Sequence, residues 1–299
     1  MAGDRVFPGG GFGAVPVQSA VDINWLSLGF CFLLLVIPFA ISAIFRLKLL
    51  VPALIGIGRM TAQLILIGFF LGYIFNLNRP WITLVWFILM VGTATGTVIQ
   101  KSDLNVRLLM VPAFFSFLFT ALVVLLFFNG VVVGLERVFE AKYFIALGGM
   151  LLGNSLRGNI VGLSTFYKGI KRNENRYQYS LSLGAARMEG ILPYFRKSLQ
   201  EALGPTIATV ATMGIVSLPG MMTGQLLGGS GPMTAVKYQI AIMIAIFAAV
   251  TMSTALSILL TLRFTFNEAG MLKEDTFRAP PGTSLRAPFR NRKRKTGRG

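Results

Sequence analysis

Residues 109–131 read LMVPAFFSFLFTALVVLLFFNGV, an uncharged run of 23 residues. A helix needs about 20 mostly apolar residues to cross the hydrocarbon core of a bilayer, and this run is long enough. Six further runs have similar length and apolar character, at roughly Trp25–Phe45, Leu54–Phe75, Trp81–Ile99, Tyr143–Leu163, Pro205–Leu227 and Tyr238–Leu262. The sequence therefore predicts an all-α, polytopic membrane protein with about seven transmembrane helices. Residues 1–22 are expected to be a disordered N-terminal tail, 23–265 the transmembrane domain, and 266–299 a basic disordered C-terminal tail.

Composition agrees. Of 299 residues, 54% are hydrophobic and only 13% charged, with a mean hydropathy of +0.69. Adding the 33 glycines brings the apolar share to about 65%, against about 45–50% in soluble domains. No water-soluble core could hide that much apolar surface. The net charge of +17 would suggest a nucleic-acid binder in a soluble chain. In a membrane protein it reads instead as a topology signal, and no nucleic-acid partner is expected. The single cysteine, Cys31, rules out an intrachain disulfide and reads as a small buried hydrophobe. With no histidine, the sequence lacks His metal ligands, His proton relays and the usual catalytic triad. No catalytic residue is assigned.

Basic residues cluster on alternate connections. With the N-terminus outside, the inside segments hold 22 Lys and Arg and the outside segments 5. The positive-inside rule then places the C-terminus in the cytoplasm. Leu49–Ile57, short, flanked by basic residues and interrupted by Pro52 and Gly56, reads as an interfacial elbow before the second span, with the start of that span as the alternative.

Residues 164–204 form the only substantial polar stretch between spans. They read as two short helices joined near Gly184–Pro193, with re-entry at Pro205. A connection of this length in a compact protein is usually functional. Leu183, Gly184, Ala185, Ala186, Arg187, Glu189 and Pro193 form the candidate docking element. Ile191, Leu192, Tyr194 and Phe195 are the expected apolar anchors for a partner.

Polar side chains are costly in lipid and tend to face a bundle interior or a water-filled path. Asn154 and Arg157 in the fifth span are candidates for lining such a path, with Arg59 and Gln63 behind them. Thr254, Ser257 and Thr261 share one face of the seventh span and read as packing residues, because hydroxyls can bond to backbone carbonyls. Gly149, Gly153, Gly158 and Gly162 make two small-xxx-small steps in the fifth span. In the sixth span, Ser217, Pro219, Gly220, Met221 and Met222 mark a break. Proline frees the carbonyl of Ile215, and an interrupted helix in mid-membrane exposes backbone oxygens to a substrate. Met213, Met221 and Met222 add soft sulfur suited to soft metals. The confident spans contain no carboxylate cage for a hard cation.

The residues Val216-Ser217-Leu218-Pro219-Gly220-Met221-Met222-Thr223-Gly224, followed by Lys237-Tyr238-Gln239-Ile240, resemble the signature of FetB-type permeases of ATP-binding cassette (ABC) transporters. That family includes bacterial iron-export permeases and plant aluminium-tolerance half-transporters. Arg59-Met60 with Gln63-Leu64, Gly148 to Asn154, and Leu181 to Ala185 are similar to further family elements, and the resemblance covers about residues 25–268. It implies a homodimeric permease that pairs with a separate ABC ATP-binding subunit, where ATP and Mg would reside. The sequence has no G-x-x-x-x-G-K-[ST] run of its own. The implied location is a bacterial-type inner membrane, or a eukaryotic organellar or vacuolar membrane. The implied cargo is a metal ion, iron by resemblance, with Met221 and Met222 as candidate ligands. Arg157 is unusual against the bacterial pattern and leaves a nucleotide-sugar or other organic anion open. A self-sufficient channel or secondary transporter is the reading from a different class.

Overall fold

The computed structural model describes residues 23–77, 79–268 and 270–278, and the expectations for both terminal tails beyond them fall outside the described residues. The chain forms two compact units. One comprises the described residues up to Arg79 together with Thr209–Ile244; the other comprises Pro80–Ala208 and the described residues from Ala245 onward.

In the first unit, α1 (Trp25–Cys31) and α2 (Val36–Ile44) are joined by a 3-10 turn at Phe32–Leu35. The Asn24 side chain accepts a hydrogen bond from the Leu26 amide at 3.5 Å and opens α1. Helix α3 (Leu50–Leu77) follows. Its 28 residues span about 42 Å. The interfacial elbow expected at Leu49–Ile57 is therefore the start of this helix. Pro52 does not break it, because it lies in the first turn, where an amide hydrogen has no intrahelical partner. Hardly any side chain of these three helices is buried within the chain, and Cys31, expected to be buried, is exposed. The same unit holds α9 (Gly220–Leu227) and the first part of α10 (Pro232–Thr265).

The second unit is densely packed. It contains α4 (Pro80–Lys101), α5 (Val106–Phe127), α6 (Ala141–Arg172), α7 (Glu174–Ser182), most of α8 (Arg187–Thr212) and the rest of α10. Lipid is as apolar as leucine, so burial alone does not hold such helices together; close contact and hydrogen bonds do. Phe87 of α4 and Phe144 of α6 stack edge to face at 5.1 Å beside Gly148, where a β-carbon would sit 2.8 Å from the Phe87 ring. A β-carbon on Gly158 would lie 2.5 Å from Val250 Cγ1, and one on Gly162 would collide with the Thr254 methyl. These two glycines let α6 approach α10 closely.

A column of buried polar side chains reinforces that contact. Asn159 Nδ2 donates to Ser253 Oγ at 2.8 Å, Ser116 Oγ to the Ser253 carbonyl at 3.0 Å, Ser257 Oγ to Ser116 Oγ at 3.0 Å, and the Tyr167 hydroxyl to Thr261 Oγ1 at 2.7 Å. Thr254, Ser257 and Thr261 are buried, as expected of packing residues.

Five described helical segments are long and apolar enough to cross a membrane: Trp25–Ile44, Leu50–Ile74, Pro80–Lys101, Val106–Val132 and Pro232–Thr265. The fifth expected span lies inside α6, where Asn154, Arg157 and Asn159 dilute the apolar character. The sixth is not a continuous helix. Helix α8 ends at Thr212, Met213–Pro219 form a tight turn, and α9 starts at Gly220.

Candidate docking turn and translocation face

Residues Leu183–Ala186 connect α7 to α8, and local bonds give them their form. Gly184 adopts φ +90°, the left-handed geometry that glycine reaches without strain. Its amide donates to the Leu181 carbonyl at 3.0 Å, and the Ala185 amide donates to the Ser180 carbonyl at 3.2 Å. This is the paired bonding of a Schellman C-cap. Three residues after Ala186, Glu189 Oε2 accepts from the Ala186 amide at 2.9 Å, the reciprocal half of a capping box. Glycine ends one helix and glutamate starts the next.

The tip carries exposed apolar side chains: Leu183 is 71% exposed and Met188 49%. Arg187 is exposed beside them. Two expectations need correction. Pro193 is not in the joint; Gly184 makes the break earlier, so Pro193 falls inside α8, which continues through Pro205 as well. Ile191, expected as a partner anchor, is buried in the chain itself, while Tyr194 and Phe195 are half-buried and Leu192 is exposed. Helix α8 is held along α6, with Ser198 and Ala202 facing Gly162 and the Tyr194 ring beside Gly169, where a β-carbon would lie 3.5 Å from Tyr194 Cδ1. The docking turn is therefore the end of a braced hairpin.

Several chain connections gather at the same end of this unit. Asp103, in the α4–α5 turn, pairs with Lys168 Nζ at 2.7 Å. Lys168 holds the Asp103 carboxyl below its ordinary range, chiefly through that hydrogen bond. The Asn105 amide donates to the Thr276 carbonyl at 2.9 Å, and Lys171 Nζ lies 4.2 Å from the centre of the Phe277 ring. The described residues 266–268 and 270–278 are thus folded against the unit, where the sequence suggested a disordered tail from residue 266.

Along α6, Ala146, Gly153, Arg157 and Val161 are exposed at helical spacing, in contrast with Val111, Phe115, Phe119 and Val123 on the exposed side of α5. The α5 face suits lipid. The α6 face, with an arginine at its centre, does not. Asn154 is half-buried and satisfies itself, donating to the Met150 carbonyl at 2.9 Å. The Gly149–Gly153 step does not match Gly158–Gly162, because the space around Gly153 is open.

In the other unit, Gly214 turns the chain at φ +89° and its amide donates to the Ser217 carbonyl at 3.0 Å. Ile215 at the tip of the turn is 94% exposed. Pro219 is the extended residue before α9; its carbonyl accepts the Thr223 amide at 3.0 Å. Ser217 and Gly220 are exposed, Met221 and Met222 half-buried. Arg59 and Gln63 are exposed one turn apart on α3.

Gln239, not singled out from the sequence as a site, donates from Nε2 to Met213 Sδ at 3.7 Å; it is 5% exposed and its Oε1 has no protein partner. Its signal in the sequence was an amide side chain just inside the last apolar run. Among the described residues, no three His, Cys, Asp or Glu side chains cluster as a metal site; the donors brought together at Met213 and Gln239 are a thioether and an amide.

A profile of the uncharacterised protein family UPF0014 matches residues 25–266. A UPF0014 membrane protein of Synechocystis is 30% identical over 242 residues, covering 79% of this chain and 92% of the relative. The probable iron export permease protein FetB of Escherichia coli is 29% identical over 248 residues, covering 82% and 93%. The protein ALUMINUM SENSITIVE 3 of Arabidopsis thaliana is 32% identical over 228 residues, covering 74% and 80%. No solved structure matches. The apolar helices, their packing and these relatives lead to one conclusion: the chain is an integral, multi-pass membrane protein of the UPF0014 family.

Proposed function

We propose that this protein is the membrane-spanning permease subunit of an ABC transporter, pairing with a separate ATP-binding subunit that holds ATP and Mg. The observation that carries the reading is the α7–α8 tip. Its shape is fixed by Gly184 and Glu189, its apolar side chains Leu183 and Met188 are exposed, and it ends a hairpin braced on α6. Those are the properties of a rigid knob that receives a push from a partner and passes it to spans as rigid-body motion. ATP hydrolysis belongs to the partner, and the permease does no chemistry. The basic residues around this end, including Lys168, Lys171, Arg172 and Arg187, support a cytoplasmic placement and with it a seven-span topology with the N-terminus outside. The bare faces of α1 to α3 suit a second copy of the chain as well as lipid.

The proposed cargo is a metal ion, exported, and iron by analogy with the relative named a probable iron export permease. The proposed path residues are Asn154 and Arg157 on α6, and Ser217, Pro219, Gly220, Met221 and Met222 at the break before α9, with Arg59 and Gln63 in a secondary role. A second reading, an organic anion such as a nucleotide-sugar, is favoured by the exposed Arg157. Purification in mild detergent, identification of the co-purifying chain and reconstitution in liposomes test the proposal. Co-purification of an ATP-binding subunit and ATP-driven metal efflux are expected. Flux from the chain alone, driven by an ion gradient, would overturn it.

A further inference from the structure

Tyr177 lies on α7, two turns before the docking tip, and is 2% exposed. Three residues from two elements enclose it. On α8, Gly190 leaves room for its ring: a β-carbon there would stand 2.9 Å from Tyr177 Cε2. After α10, the Phe266 ring meets it edge to face at 6.2 Å. Beyond that, its hydroxyl donates to the Gly270 carbonyl at 2.7 Å, a link across 93 residues of chain. Burial pushes the phenol above its ordinary range, so the hydroxyl stays a neutral donor.

The acceptor is itself fixed. Gly270 adopts φ +76°, and a β-carbon there would lie 3.3 Å from Leu181 and 3.8 Å from Arg187, the residues on either side of the docking turn. The Lys273 amide donates to the Thr265 carbonyl at 2.8 Å, and Asn267 Oδ1 accepts the Met271 amide at 2.7 Å, so the chain after α10 closes on itself. Further along, the Asp275 carbonyl accepts Asn105 Nδ2 at 2.9 Å, and the Arg278 amide donates to the Asp103 carbonyl at 3.0 Å. The described residues 266–268 and 270–278 form a strap from the end of α10, tied to the α4–α5 turn and to the docking hairpin.

We infer that Tyr177 is a positioning residue for the docking turn, and that through its bond to Gly270 the strap links the end of α10 to the turn. The inference deepens the permease reading and rests on it. A ring alone would fill the site between Gly190 and Phe266. The hydroxyl adds a single directional tie to the strap, so a movement of the tip pulls on α10 as well as on α8.

Tyr177→Phe isolates that tie, because it keeps the ring. In the purified permease alone, amide exchange at Gly184 and Ala185 should rise by up to about tenfold, in keeping with one lost hydrogen bond. Unchanged exchange would overturn the tether whatever the partner proves to be. In liposomes with the co-purified ATP-binding subunit, the variant should assemble normally but stimulate ATP hydrolysis less than the wild type. Full stimulation would overturn the positioning role. Loss of assembly together with thermal stability would also overturn it, as a purely structural effect. A wild-type chain that engages no ATP-binding subunit would refute the permease reading, and with it the coupling role, while the exchange result would still report on the tether.

Discussion

Gly162 on α6 leaves room for the methyl group of Thr254 on α10, and no β-carbon fits between them. One turn earlier, Gly158 stands in the same relation to Val250. Valine at either glycine should cost about 1–3 kcal/mol by overpacking, read as a lower unfolding temperature in detergent. Gly153→Ala, where the surrounding space is open, should be neutral or stabilising by up to about 1 kcal/mol, because alanine is the better helix former. Equal losses at Gly153 and Gly162 would contradict this packing.

Deleting residues 183–193 would remove Gly190 and buried Ile191 and would disturb the fold. Charging the tip is the cleaner test. Leu183→Glu and Met188→Glu should leave the unfolding temperature within about 2 °C, since surface changes rarely exceed ±0.5 kcal/mol. Binding of the ATP-binding subunit should weaken at least tenfold, equivalent to about 1.4 kcal/mol. Pull-down titration reads the second effect, and unaltered binding would remove the tip from the interface.

Met221→Leu with Met222→Leu keeps the apolar volume and removes the sulfurs. Iron efflux from liposomes should fall several-fold with protein stability unchanged if these thioethers touch the cargo. Arg157→Ala should leave iron efflux close to wild type. A transporter of organic anions would show the reverse pattern.

The Asp103–Lys168 pair gives a pH dependence of known sign. Lys168 lowers the Asp103 pKa, so the pair stabilises the fold above the ordinary carboxylate range and loses that effect as pH falls through the lowered value. Both side chains are exposed, and the effect is small. Thermal scans of wild type and Asp103→Asn should differ slightly at pH 7 and converge in strong acid.

The helical class was legible because runs such as Leu109–Val131 leave few alternatives. The position of the docking turn was legible from Gly184, although its second boundary was misplaced at Pro193. Proline is a poor guide there, because a helix already started by the Glu189 cap can carry it. The sixth segment was harder: Pro219 suggested a kinked helix, but the left-handed turn at Gly214 ends α8 before the proline is reached. Tyr177 and Gly270 were illegible, since nothing local marks a bond between residues so far apart in sequence. Gln239 drew no notice beyond its place in the family-like Lys237–Ile240 stretch.

The bonds that set the local form of the docking turn run between backbone groups of residues 179–190, with the Glu189 carboxylate added. The side chains of Leu183 and Met188 contribute none of these bonds. The address written on the tip can therefore change while its form stays the same. If the tip is the docking surface proposed above, two substitutions there would redirect the chain to a different partner without refolding it, a freedom open to a gene duplicate and to a protein engineer alike.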